Sequence, residues 1–405
     1  MVNQLHINVN ILNSGIFAGA WRFPGTDPLA SFTVEHYVDI AKKAEEAKLD
    51  AVFLADGPVL EANIRHRPGN NLEPTTVLAR IAAETSRIGL IGTLSSSYND
   101  TGELARRLGD LDVISGGRFG WNVVTTAGPV AAANFGREGE PDHARRYERA
   151  ARVVGQVTGQ WDARRTHRSP QGRPVIVQAG GSTDGKKLAS RVAEVVFSAD
   201  QHIDSARAFR RELRAGAASH GRSPDSIVIL PGLSTVIGST EAEARERREI
   251  LDDILPDAYA RARLSGQLGV DVNDLHDDEP IPREILTPPD AAGGSQTFYR
   301  MVHDIIVRED PTLRQLLRTL AGSNGHRIIT GTPEQIADDI EHWFRTGAAD
   351  GFNIMPDVLP SGFTDLADQL IPELQRRGLF RTDYADTTLR SHLGLPVPEL
   401  LKEAS

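Results

Sequence analysis

The chain's 405 residues carry 45 Lys and Arg against 55 Asp and Glu, a net charge of −10, with 40% hydrophobic and 25% charged residues. That balance fits a globular chain with a sizeable core and excludes the basic face that nucleic acid or an anionic membrane requires. Cysteine is absent, which removes disulfides, Cys-zinc sites, iron–sulfur clusters and thiol nucleophiles.

No run of about 18 apolar residues is available to span a bilayer. Met1–His6 lacks the basic start of a signal peptide, so the expected compartment is the cytoplasm. Along the chain, strand and helix patterns alternate. Leu5–Leu12 is β-rich, and Thr33–Lys48 has helical spacing in Val34, Tyr37, Val38, Ala41 and Ala44. Ala51–Leu54 is a short apolar run of the kind buried on both faces. Helices are expected at Glu73–Glu84, Glu103–Val113 and Asp142–Gln156, with strands at Ile88–Leu94 and Phe119–Val124 between them. Strands follow at Val175–Val177, Val195–Phe197 and Ile227–Leu230, separated by helices at Lys186–Ala193 and Ser205–Ser219. Glu241–Asp253 is a helix with i,i+4 Glu–Arg pairs. Thr332-Pro333-Glu334-Gln335 has the form of a capping box and opens a helix to about Arg345. Gly351–Met355 is the last strand and Leu366–Arg377 the last helix.

Eight strands, nearly all followed by helices, predict a parallel sheet closed into a (β/α)₈ TIM barrel. No Gly-x-Gly-x-x-Gly follows the first strand, which weakens an open dinucleotide-binding sheet. Asp257–Thr330 breaks the alternation and is expected as an irregular or helical insertion, a candidate lid. The whole chain, 1–405, then forms one barrel domain with a tail from about residue 379. Within the insertion, Asp271, Asp274, Asp277, Asp278 and Glu279 read as a solvated loop or a calcium loop; the EF-hand glycine and final glutamate are missing.

Barrel enzymes place their chemistry at the carboxyl ends of the strands. There the sequence offers Asp56, Thr93, Ser95, Asn122, Thr125, Thr126, Gln178, Gly180-Gly181-Ser182 and Asn353. Such hydroxyls, amides and glycines are poor general acids and bases and suit the holding of a cofactor. Gly180–Ser182 joins a strand to a helix start, which is either a phosphate cradle or a plain tight turn capped by Ser182 or Thr183. His143 and Tyr147 share a helix face that could hold an anion or simply be solvated. Asp56 is either a turn residue before Gly57 or a carboxylate for a ring N–H. No metal-ligand spacing occurs among the twelve histidines.

Taken in order, a set of segments resembles the nitrilotriacetate monooxygenase-type branch of the bacterial luciferase-like superfamily. They include Ala20-Trp21-Arg22, Phe53-Leu54-Ala55-Asp56, Leu72-Glu73-Pro74, Ser97-Tyr98-Asn99, Gly120-Trp121-Asn122 and Ala133-Asn134-Phe135-Gly136. Arg146–Ala150, Gln178-Ala179-Gly180, Gly351-Phe352-Asn353 and Thr388–Leu395 complete the set. The resemblance implies a flavin monooxygenase that uses FMN as FMNH₂, with O₂ and a separate NAD(P)H:flavin reductase. One oxygen would pass through a flavin C4a-(hydro)peroxide to a small organic substrate.

It places Asp56 and Thr93 near the isoalloxazine, Asn122 and Thr125 along the flavin, and His143, Tyr147, Gly180, Gly181 and Ser182 at the phosphate. Phe17, Trp21 and Phe352 are candidates to wall the pocket, or are core. Arg22, Arg65, His66 and Arg67 lie in early loops that face the mouth or are merely solvated. Only Ala163–Gly172 fills a connection that the family has longer and often beside the active site, so substrate identity does not carry over. An F₄₂₀-dependent oxidoreductase and a non-catalytic flavin-binding barrel are the alternatives. A homo-oligomer is expected by analogy, because the tail after Leu379 looks too polar to pack alone.

Overall fold

Parallel strands need apolar residues on both faces when helices cover one side and a closed lumen fills the other. A computed structural model shows this arrangement and describes residues 4–59, 72–139, 142–163, 168–288, 296–321 and 325–398. Eight strands form the ring: β1 (His6–Asn10), β2 (Ala51–Leu54), β3 (Gly89–Ser95), β4 (Phe119–Val124), β5 (Val175–Ala179), β6 (Val195–Ser198), β7 (Val228–Ile237) and β9 (Gly351–Pro356). Neighbours pair in parallel throughout, and β6 joins β7 to close the barrel. Not one of these eight strands contains Asp, Glu, Lys or Arg.

Alternate side chains divide between two cores. Ile7, Val9, Val52, Leu54, Leu90, Trp121, Phe352 and Ile354 pack outward under the helices. Ala51, Phe53, Ile91, Val175, Val177, Val195, Val228 and Leu230 fill the lower lumen. The outer helices include α1 (Val34–Glu46), α2 (Pro74–Glu84), α3 (Thr101–Ile114), α5 (His143–Ala163), α6 (Thr183–Val192), α7 (Ile203–Ser219), α8 (Glu241–Asp253) and α12 (Pro333–Arg345). Their starts match the sequence signals. Glu73 caps α2, Asp100 caps α3, and Thr332 with Gln335 forms the expected capping box of α12.

The described residues of the insertion form α9 (Asp257–Leu268), α10 (Gln296–Glu309) and α11 (Leu313–Ala321) around a separate apolar core, in line with an irregular or helical insertion. A ninth strand, β8 (Arg327–Gly331), ends the stretch and pairs with the far half of β7. The expected strand stopped at Leu230, before Pro231-Gly232. The strand runs on because its partner changes there. Ser198 of β6 is the last residue opposite Pro231, and from Leu233 the edge is taken by β8. The acidic stretch is no bare loop, since Asp277 pairs with Arg261 and Arg314, and Asp278 with Arg314. Among the described residues no group of three His, Cys, Asp or Glu could hold a metal.

The tail also differs from expectation. Instead of needing a second chain, it plugs the barrel's amino end. Leu389, Leu393 and Leu395 join the lower lumen core. A methyl group on Gly89 or Gly120 would come within 2.5 or 3.1 Å of Leu389, so those glycines make room for the plug. Arg390, 1% exposed, donates to both carboxylate oxygens of Glu194 at 2.6 and 3.2 Å. Burial alone would raise the pKa of Glu194, but Arg390 and Arg173 hold it below the ordinary range. The polar residues of the tail are therefore spent inside its own molecule, and the tail gives no reason for an oligomer.

The short 163–172 connection ends at this same pole. Ser169 and Gln171 both donate to the buried Asp112, and Gln171 Oε1 accepts from Arg390 N at 3.1 Å. Its described residues thus lie at the opposite end of the barrel from the strands' carboxyl termini.

Replacement of Arg390 by Ala leaves the buried Glu194 carboxylate with only the more distant Arg173 as a cationic partner. We expect a loss of about 3–5 kcal/mol, read as a lower urea midpoint. A second outcome concerns pH. Burial raises the pKa of Asp112 to about 6 from 3.8. The stability this confers is full below the unfolded pKa and is lost as pH rises through about 6. The lost amount is about 3 kcal/mol at most. Asp112→Asn should flatten the fall in stability measured between pH 5 and pH 7.

Candidate active site

Inward side chains rise in tiers because each strand is offset from its neighbour along the barrel axis. The parallel register brings Phe53, Asn122, Phe197 and Asn353 to one level above the apolar plug. The Phe53 and Phe197 rings meet edge to face across the lumen at 5.9 Å. The next level carries Asn10, Thr93 and Gly232. Asn122 Nδ2 donates to the Thr93 hydroxyl at 2.9 Å, which leaves Asn122 Oδ1 buried without a partner among the described residues. Higher on β3, Ser95 accepts from Thr126 at 2.7 Å. Thr125, which was expected along the flavin, is half-buried just beyond β4.

A second group forms where β5 turns into α6. Ser182 caps α6 by accepting from Gly185 N at 3.1 Å. Gly180 has φ +153°, a backbone region that favours glycine. A methyl group there would lie 3.0 Å from Gln178 Nε2 and 3.5 Å from the Tyr147 hydroxyl. The Tyr147 ring is 4.8 Å from that of His143, whose Nδ1 is 3.1 Å from Asp184 Oδ2. The structure therefore brings His143, Tyr147, Gly180, Gly181 and Ser182 to one cradle at a helix start. Backbone N–H groups and the helix dipole favour an anion there.

Other expected residues are dispersed. Asp56 is exposed on the rim after β2, yet nearby protein atoms still raise its pKa, and Glu73 adds to the rise. Phe17 closes the upper lumen with Val236 and Met355. Trp21 is half-buried beneath Arg22, 4.6 Å from its ring centre. Phe352 does not wall the pocket. It points outward against Trp343 at 6.3 Å, because Asn353 takes the inward position on that strand. Arg65, His66 and Arg67 lie outside the described residues.

Two features escaped the sequence. The alternation in His6-Ile7-Asn8-Val9-Asn10 marks Asn8 and Asn10 as inward, and that signal was available. His326 had none, because it falls in the stretch read as insertion. It precedes β8 and stacks on Phe197 at 4.8 Å. A methyl group on Gly232 would come within 2.3 Å of it. Burial lowers its pKa to about 4, so it is a neutral imidazole at pH 7.

The model of the luciferase-like monooxygenase family matches residues 13–350. This chain belongs to that family. Nitrilotriacetate monooxygenase component A of Aminobacter aminovorans is 37% identical, covering 98% of this chain and 97% of the relative. Among solved structures, EDTA monooxygenase from Chelativorans sp. BNC1 superposes with a TM-score of 0.79 at 33% identity, covering 97% of this chain and 99% of that one. A riboflavin lyase solved with modified FMN and riboflavin gives 0.83 at 26% identity, covering 97% and 96%. The enzyme is thus a monooxygenase of the flavin-dependent, luciferase-like class, built on a TIM barrel.

The cradle is testable through its cap. Aspartate caps a helix as well as serine does, so Ser182→Asp should leave the melting temperature nearly unchanged. The added negative charge should weaken FMN, used as the probe, by at least about tenfold, or 1.4 kcal/mol. Fluorescence titration with unchanged FMN affinity would remove Ser182 from the site.

Proposed function

We propose that the chain is the oxygenating component of a two-component system, receiving FMNH₂ from a separate NAD(P)H:flavin reductase. The observation that carries this reading is the pairing of an anion cradle at α6 with an uncharged, amide-lined lumen. The residues present fit FMN. Gly180, in a backbone conformation that favours glycine, brings the chain close to Tyr147 at the start of α6, and Asn122 Oδ1 is a buried acceptor without a partner among the described residues. A cradle for one phosphate, without a dinucleotide fingerprint, fits a flavin delivered ready-reduced. The NAD(P)H supply fits the cytoplasm.

Bound reduced flavin supplies the electrons for O₂, so that one oxygen atom enters an organic substrate and the other leaves as water. The chain's own residues bind and shield. Ser182, Gly181 and the His143–Tyr147 pair hold the phosphate, with Asp184 fixing the His143 ring. Asn122, oriented by Thr93, holds a ring N–H through its free Oδ1. Asp56, on the rim, would meet the ring's outer edge. Phe53, Phe197 and Phe17 exclude water from the reacting space. The helices of 257–321 stand as an insertion in a single barrel domain, after β7, where a lid would close over the strands' carboxyl ends.

Anaerobic titration of the protein with FMNH₂, FMN and reduced F₄₂₀, followed by admission of air, tests the reading. Tight FMNH₂ binding with oxygen uptake on aeration is the expected outcome. Binding of F₄₂₀ alone would move the protein to hydride transfer, and binding of none of the three would end the flavin reading.

A further inference from the structure

Across the lumen from the phosphate cradle, β1, β9 and β7 bring together polar atoms that nothing in the protein satisfies. Asn353 is opposite Asn8 on one side and Gly232 on the other. Both Asn353 Nδ2 and Oδ1 lack a hydrogen-bond partner among the described residues, as do Asn10 Oδ1 and Ser234 Oγ. Asn353 is 1% exposed, Asn10 4% and Ser234 0%. Phe53, Phe197 and His326 stand beside them as aromatic walls. A buried amide left unpaired is unfavourable, so this sector is suited to a bound molecule that supplies the missing hydrogen bonds.

We propose that Asn10, Ser234 and Asn353 form a substrate subsite for a neutral group that both donates and accepts hydrogen bonds, such as a secondary amide or lactam, and that a carboxylate is refused there. The name "substrate" rests on the flavin monooxygenase reading; the subsite's preference does not. Asn353 offers both a donor and an acceptor, whereas a carboxylate only accepts and would face Oδ1 atoms that repel it. No strand of the barrel supplies a cation. The one ionisable wall, His326, is held neutral by burial. A buried charge without a partner is strongly disfavoured. The two relatives named for nitrilotriacetate and EDTA act on polycarboxylates, so this chain's subsite predicts a different substrate class.

Propanamide and propanoate, equal in shape and different in charge, are the probes. Full-length protein labelled with ¹⁵N-histidine is first titrated with FMN, then with each probe, and the His326 ring signal is followed. That signal is the one missing in His326→Gln. We expect a neutral imidazole between pH 5 and pH 8 and a saturable shift with propanamide, with none from propanoate. Asn353→Leu, which keeps the His326 signal if His326→Gln does not fold, should weaken the propanamide response at least about fivefold. A response to propanoate, to both probes or to neither overturns the subsite. Failure of FMN to bind in the first titration overturns the flavin reading alone, because the probes still report on the subsite.

Discussion

Everything in this molecule follows from closing eight short parallel strands into a ring. Each strand then has one face under helices and the other in a narrow lumen, and neither tolerates an unpaired charge. The strands accordingly hold no Asp, Glu, Lys or Arg. Polarity inside the barrel is limited to amides and hydroxyls. Charge reaches the barrel only at its two ends, where loops, helix starts and the tail can bring it.

The two ends use that charge differently. At the amino end, the Arg390–Glu194 pair and the Asp112–Gln171 bonds lock an apolar plug made of Leu389, Leu393 and Leu395. The lower lumen is thereby sealed and dry. At the carboxyl end, His143, Tyr147 and the α6 start form a cradle beside a lumen tier of Phe53, Asn122, Phe197 and Asn353. The space between these walls is bounded below by the plug and at the sides by aromatic rings, an arrangement that limits the access of water.

The same constraint bears on what the lumen can hold. The family's frame is shared over nearly the whole chain. In this chain the inward side chains near β1, β7 and β9 are amides and a hydroxyl, and the segment after β7 lies beside them. Here that segment ends in β8, and its His326 lies flat on Phe197. A neutral ring in that place extends the uncharged character of the strands to the mouth.

Period-two and period-3.6 patterns were enough to identify the eight ring strands, most helices and the capping box at Thr332, because those depend on neighbours in sequence. The motifs also singled out residues that the structure gathers at the start of α6, since Gly180, Ser182 and the His143–Tyr147 spacing are local features. Tertiary structure alone decided the rest. β7 continued through Pro231-Gly232 because β8, almost a hundred residues later, replaced β6 as its partner. The tail became a plug because Gly89 and Gly120 left space for Leu389. Phe352 turned outward and Asn353 inward because the pleat of β9 is set by its register with β1 and β7. His326 reached the lumen through contacts that join distant segments, and no local pattern in the chain encodes such contacts.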